Sequence, residues 1–260
     1  MLTLHGRPHA TDTTKLLWAL AEFGLPCRVM DLDDRAADAR PLAPWQRDVP
    51  VLADGGFSVR GGNTILRYLC ATLANGTPLY PSAAQDRANI DAWLDQVQAE
   101  MAPVATEVLR IMTALPPTAA GAHTLHQTLS QWADLWREME PVLARQRFLA
   151  SGNLTIADIA IGPYLHQWFS LGIPDRPATP HLRNYYDLLM TRPAYRQHVA
   201  ATPLAAPLTP EPEEASRTRP AARRDWFRYD PNADVLLSSM GIAAPNVANA
   251  MQDAEVLAAD

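Results

Sequence analysis

The sequence predicts a small α/β domain followed by an all-α domain, and three observations carry that reading. Residues 1–80 alternate short apolar strands with helical runs, each closed by glycine or proline. From Pro81 onward, apolar residues recur at three- and four-residue intervals, the spacing of amphipathic helices. After about Ala201 that pattern stops at a run of prolines: Pro203, Pro207, Pro210, Pro212 and Pro220. The predicted divisions are 1–80, 83–201, and a proline-rich linker with a C-terminal extension over 202–260.

Taken in order, Leu2-Thr3-Leu4-His5 reads as a strand turned by Gly6-Arg7-Pro8. Thr11 or Asp12 then offers a side-chain oxygen to cap a helix from about Thr13 to Phe23. Gly24-Leu25-Pro26 is a stop signal for that helix. Cys27 to Leu32 is a second strand, which completes a βαβ unit. The polar stretch Asp33 to Asp48 is expected to be a short helix and loop. The segment "VPVLADGGFSVRGGNTILRYL", residues 49–69, then gives a strand, a turn at Asp54-Gly55-Gly56, a return strand, and a helix opened by Gly61-Gly62. A glycine pair at that junction allows two readings: a turn needing flexible backbone, or helix-start amides held open for an anionic ligand.

In the second region Ile90, Trp93, Leu94, Val97, Met101, Val104, Val108 and Ile111 mark one long helix, with Pro103 near a bend. Leu115-Pro116-Pro117 breaks it, and Leu125 to Leu143 forms the next helix. Thr155 with Asp158 three places on is a capping-box-like start for the run Leu154–Tyr164. Further helices are expected over Leu182–Met190 and from Pro193. In the extension, Trp226, Phe227 and Tyr229 form an aromatic cluster. Burying such side chains stabilises by about 1.5–3 kcal/mol each, so the cluster is expected to dock near the cleft between the domains, the competing reading being a disordered appendage.

Composition narrows the function classes. Hydrophobic residues make up 48% of the chain, ample for a core. A net charge of −6 argues against a nucleic-acid partner, which would need a basic face for phosphates. Cys27 and Cys70 form neither a CxxC nor a metal-ligand spacing, and both read as reduced, buried thiols, so no metal site is predicted. No signal sequence is visible, and no apolar run approaches the ~20 residues that cross a bilayer. The expected setting is cytoplasmic, with no membrane partner.

Six stretches in register, "LHGRPHATDTTKLLWALAEFGLP", "VPVL", "NTILRYL", "LYP", "LTIADIAIGPYL" and "HLRNYYDLLMTRPAYRQHV", resemble the soluble glutathione transferase family over residues 2–200. The resemblance implies a thioredoxin-like N-terminal domain (βαβ-ββα), a helical C-terminal domain, a homodimer, glutathione as the thiol ligand, and a small-molecule electrophile as its partner. It also implies that Pro50 is cis. Within the family the thiol is held by the Val-Pro loop, here Val49 and Pro50, by an acid-serine pair, and by a hydroxyl or thiol near the first helix start.

The polar points of that pattern are altered here. Ala10 stands where the family serine would, without its hydroxyl, and Gly61 and Gly62 occupy the acid-serine positions. Asp48 replaces a frequent Gln or Lys and would repel the glycine carboxylate of glutathione. Each lost hydrogen bond to a charged group costs about 1.5–3 kcal/mol, against about 1.4 kcal/mol per tenfold in affinity. Glutathione is therefore expected to bind weakly. The amides of Gly62 and Asn63 remain for a carboxylate, and the first helix start with Thr11 remains for a thiolate. Restoring Gly61→Glu, Gly62→Ser and Asp48→Gln together is expected to tighten binding at least about tenfold.

Other candidates are weighed in the same way. Thr11 is either a hydroxyl donor to the thiolate or a cap. Arg7 adds positive potential at the mouth of the site or is a surface arginine, and His9 is an acid–base group or a solvated loop residue. Met101, Arg110, Tyr164 and Trp168 either face the substrate cleft or belong to the core.

Two function classes follow. One is a glutathione S-transferase-like enzyme delivering a thiolate to a small apolar electrophile. The other is the same fold turned to a specialised lyase or isomerase reaction, or to non-catalytic ligand binding or assembly.

Overall fold

The computed structural model describes residues 1–31, 50–72, 77–113, 119–173 and 176–202. The predicted 33–48 helix, together with Asp48, Val49 and the aromatic cluster at 226–229, lies outside the described residues.

Strand β1 (Leu2–Gly6) sits inside a four-stranded sheet of order β2-β1-β3-β4. It runs parallel to β2 (Cys27–Asp31), with Leu2 opposite Cys27, and antiparallel to β3 (Val51–Asp54), with Leu4 opposite Leu52. The hairpin partner β4 (Phe57–Arg60) returns through Gly55, whose φ of +57° suits the turn. Leu4 and Leu52 are fully buried under two helices, α1 (Thr11–Glu22) and α2 (Gly62–Thr72). This is the thioredoxin-like arrangement.

Helix α1 begins two residues earlier than the sequence suggests. Ala10, not Thr11 or Asp12, takes the cap position, with φ −70° and ψ 137° and no side-chain cap bond. Its carbonyl accepts the Thr14 N–H at 3.0 Å, so the first helical hydrogen bond is already closed there. The helix ends as predicted at Gly24 (φ +65°), where the Leu25 N–H reaches the Leu20 carbonyl at 2.9 Å.

The helical region starts with α3 (Ala84–Gln96), which passes through a wide π turn (Val97–Met101) into α4 (Ala102–Thr113). The predicted disturbance at Pro103 takes this form. Proline has no N–H and its ring crowds the carbonyl four residues back, and the turn relieves both. Then follow α5 (Ala119–Leu143), α6 (Ile156–Ser170), α7 (Pro180–Met190) and α8 (Pro193–Tyr195), the last running into a π turn over Arg196–Ala200. Helix α6 is buried from Ile156 through Leu165, as expected of a helix apolar on every side.

Two polar devices hold α6 and α1 in place. Asp158, with no exposed surface, accepts four hydrogen bonds. Its Oδ1 receives the Leu149 N–H (2.9 Å) and the Tyr185 hydroxyl (2.7 Å), and its Oδ2 receives the Thr155 N–H (2.7 Å) and hydroxyl (3.0 Å). The predicted capping box is thus present, and it also ties α6 to α7. Between the lobes, Glu22 of α1 is held by Arg192 just after α7 through two bonds of 2.7 and 2.6 Å, while the Trp18 indole N–H donates to its Oε1 at 2.8 Å. Cys70 is buried and desolvation pushes its thiol up to about 12; Cys27 is only half-buried, in contrast to the expectation for it.

Asp158→Ala strands four donors at once. At 1–3 kcal/mol for an unsatisfied buried group, it is expected to cost at least about 3 kcal/mol. At 2–4 °C per kcal/mol, calorimetry should show the melting temperature falling by roughly 6–12 °C.

Glu22 gives a pH dependence. Burial opposes its charge, but Arg192 and the Trp18 N–H outweigh burial and hold the carboxyl below its ordinary value of 4.5. The folded state then binds the proton less tightly than the unfolded state. The clamp contributes fully above the ordinary value, and its contribution is lost as pH falls through the depressed one. Glu22→Gln should be less stable at neutral pH yet lose less stability on acidification, which melts across that range will check.

Candidate functional site

The starts of α1 and α2 meet beside Pro50. The buried Pro50 offers its carbonyl to the Gly61 N–H at 3.1 Å, and the Gly61 carbonyl accepts the Ile65 N–H at 2.9 Å. Gly61 is therefore the cap of α2, and its φ of +86° is a conformation that side chains disfavour. The first-turn amides of Gly62 and Asn63 have no acceptor within the helix. With α1 beginning at Thr11, two helix N-termini and their partial positive charges converge on one place.

Gly62 is crowded in a different way. A Cβ there would lie 2.7 Å from Asp12 Cγ and 2.7 Å from both Cε and Nζ of Lys15. Lys15 is only 1% exposed, and its ammonium sits 2.5 Å from Asp12 Oδ1 and donates to Asn63 Oδ1 at 3.0 Å. A buried ammonium is tolerated only when paired in this way. Asn63 in turn donates through Nδ2 to the Leu94 carbonyl at 3.0 Å, so its side chain is committed to joining α1, α2 and α3. Only its backbone is left for a ligand.

Gly61 and Gly62 also have local structural reasons to be glycine. Gly61 is demanded by its φ, and the space a serine Cβ would take at 62 is filled by the Asp12–Lys15 pair. Restoring Glu and Ser at these positions would therefore put a side chain at a positive φ and require the Asp12 and Lys15 side chains to shift.

Beside them, Thr11 at the first position of α1 accepts a hydrogen bond from Gln167 Nε2 of α6 at 3.1 Å. Ala10 is half-buried at the cap, Arg7 is half-buried in the turn before it, and His9 is exposed there. Three cleft candidates are core residues instead. Met101 is 1% exposed, with its sulfur accepting the Trp132 indole N–H at 2.8 Å. Trp168 packs edge-on to Trp132 at 5.2 Å between ring centroids and is 1% exposed. Tyr164 is 5% exposed, and burial, with the nearby Asp12 charge, pushes its hydroxyl pKa far up. Van der Waals packing has taken all three out of reach of a ligand. Arg110 is exposed, its guanidinium bound to Glu107 of the same helix at 2.6 and 2.7 Å.

Sequence reasoning passed over Lys15 and Gln167. The signal for Lys15 was there: a lone cation on the α1 stripe that includes Trp18 and Ala19, three residues after an acid. Gln167 carries no comparable signal in the sequence, because its partner is 156 positions away.

Comparison with known proteins agrees with this architecture. The model for "Glutathione S-transferase, C-terminal domain" matches residues 83–188. Glutathione S-transferase GstB of Escherichia coli K12 is 26% identical over 209 residues, covering 76% of this chain and 98% of that protein. Glutathione S-transferase 3 of Zea mays is 28% identical over 223 residues, covering 79% and 96%. The theta class glutathione S-transferase of Xanthomonas axonopodis pv. citri is 29% identical and covers 78% of this chain and 98% of its own. Its apo crystal structure superposes with a TM-score of 0.67, and its structure with glutathione bound with 0.66. The chain resembles the soluble glutathione S-transferases in sequence and fold, and that likeness supports a function of the same kind.

Gly62→Ala is expected to cost about 1–3 kcal/mol by overpacking, and Gly61→Ala about 1–2 kcal/mol by backbone strain. In a Lys15→Ala background the Gly62→Ala penalty should shrink, because neither Cε nor the ammonium then fills the space. Urea denaturation of the four variants in that cycle measures the coupling, and strict additivity would show that Lys15 does not occupy the site.

Proposed function

We propose that this protein is a glutathione S-transferase-like enzyme that binds a glutathione-type thiol where α1 and α2 begin and delivers its thiolate to a small apolar electrophile. The supporting observation is the convergence of two helix N-termini beside Pro50, in a chain whose fold matches a relative crystallised with glutathione. In this reading residues 1–80 form the thiol domain, 83–201 the helical domain and 202–260 an extension, and the protein works as a cytoplasmic homodimer.

In this reading the residues take the following roles. Val49 and Pro50 pair with the ligand backbone. The Gly62 and Asn63 amides take a carboxylate. Ala10 has no hydroxyl, so Thr11 and the α1 start stabilise the sulfur anion, and the displaced proton leaves to solvent. Arg7, His9 and Arg110 are the remaining candidates for contact with the electrophile. Because the thiolate is the nucleophile, lowering the thiol pKa is the catalytic contribution. Binding is weak, poorer than about 1 mM, since partners are missing at three polar points and the Asp12 carboxylate faces the same loop.

A second reading is favoured by one observation. The Asp12–Lys15 pair fills the side-chain space at Gly62, the serine of the family's acid-serine pair, which suits a ligand other than glutathione, in a lyase or isomerase reaction or in simple binding.

Calorimetric titration with reduced glutathione separates the two readings. Saturable millimolar binding supports the first, and absence of heat up to the solubility limit supports the second. If the first holds, Ala10→Ser should raise conjugation of an aryl halide. Thr11→Val should lower kcat/KM by about tenfold or more, the value of a hydrogen bond to an anion.

A further inference from the structure

We propose that Gln167 is a positioning residue whose side-chain amide turns the Thr11 hydroxyl proton toward the bound thiol. The proposal rests on the reading of Thr11 as thiolate donor. Gln167 lies on α6, is 6% exposed, and reaches across to the first residue of α1. Its Nε2 donates to Thr11 Oγ1, so one lone pair of that oxygen is occupied. The hydroxyl proton cannot return along the same contact, because both groups there are donors.

The usual outlet for a threonine proton in a helix is a carbonyl one turn back. In this protein Thr14 donates to the Thr11 carbonyl, Thr106 to Ala102 and Thr128 to Thr124, at 2.9, 2.7 and 2.8 Å. Thr11 has no helical turn behind it. With its oxygen fixed by Gln167, its proton is directed to the space at the helix start, where the sulfur would lie.

Gln167 also carries a cost that packing alone would remove. Its Oε1 is buried without a hydrogen-bond partner among the described residues, whereas buried Asp158 on the same helix has all its acceptor sites filled. An apolar side chain of the same size would avoid that loss. Retention of the amide fits a role at Thr11. Were the amide reversed, Oε1 would accept the Thr11 proton and withdraw it from the ligand, so the two orientations have opposite consequences.

The test reads the ionisation of reduced glutathione bound to the full chain, from thiolate absorbance against pH, with glutathione affinity by calorimetry and melting temperature recorded for each variant. Thr11→Val should raise the apparent pKa of the bound thiol. Gln167→Leu, and Gln167→Met as a second variant close in shape, should lower the thiolate fraction at neutral pH by about three- to tenfold, the worth of one neutral hydrogen bond. Gln167→Glu should lower it further, because an ionised carboxylate captures the hydroxyl proton. A raised apparent pKa in Thr11→Val with none in the three Gln167 variants overturns the positioning role and leaves the parent reading standing. A lowered apparent pKa in Gln167→Leu establishes the reversed amide and also overturns it. If the unaltered protein binds no glutathione, or Thr11→Val changes nothing, the parent reading fails and this proposal with it.

Discussion

The contact of Trp18 with Gly162 is the constraint on which the rest depends. Trp18 of α1 has no exposed surface, and its ring lies directly on the backbone of α6, where any Cβ at 162 would collide with it. Tyr195 closes the other side, edge-on to the indole at 4.8 Å, with its hydroxyl donating to the Gly162 carbonyl at 2.8 Å. Three elements from two lobes are thereby fixed within the width of one aromatic ring. The seat of α1 on α6 sets where α1 begins, and so where Thr11 meets Gln167. Interiors packed to crystal density transmit such a constraint instead of absorbing it.

Around that apolar seat, polar side chains act as pegs between elements. Asp158 joins the start of α6 to the loop before it and to α7. Glu22 and Arg192 join α1 to the segment after α7, and Lys15 with Asn63 joins α1, α2 and α3. Each is buried or half-buried, and each finds partners at distances between 2.5 and 3.0 Å. Directional bonds of this kind add little net stability when made and remove much when broken. Their effect is to select one relative placement of the helices from several that apolar packing alone would allow.

The glycine pair shows how electrostatics and backbone share one site. Two helix starts favour an anion, while Asp12 in the first turn of α1 works against it. Lys15 offsets Asp12 at 2.5 Å, leaving the backbone amides as the main positive feature of the loop. An anion held here would meet peptide dipoles more than charged side chains.

The architecture was legible in the sequence because it rests on periodicity and local turn chemistry. The strand–helix alternation of the described residues up to 72, the stop at Gly24, the disturbance at Pro103 and the capping box at Thr155 all depend on neighbours within a few residues, and each is found in the structure. The quoted motifs likewise sufficed for the family likeness. The candidate site was legible only as backbone: Pro50, Gly61, Gly62 and the two helix starts. What tertiary structure alone decided was which side chains reach it. Met101, Tyr164 and Trp168 carry a helical spacing that suits a cleft or a core equally, and packing against Trp132 and the α1 start placed them inside. Lys15 filling the space above Gly62, and Gln167 meeting Thr11, join residues 47 and 156 positions apart in sequence. Periodicity states which face of a helix is buried, but not what it is buried against, because that partner is chosen by the packing of the whole chain.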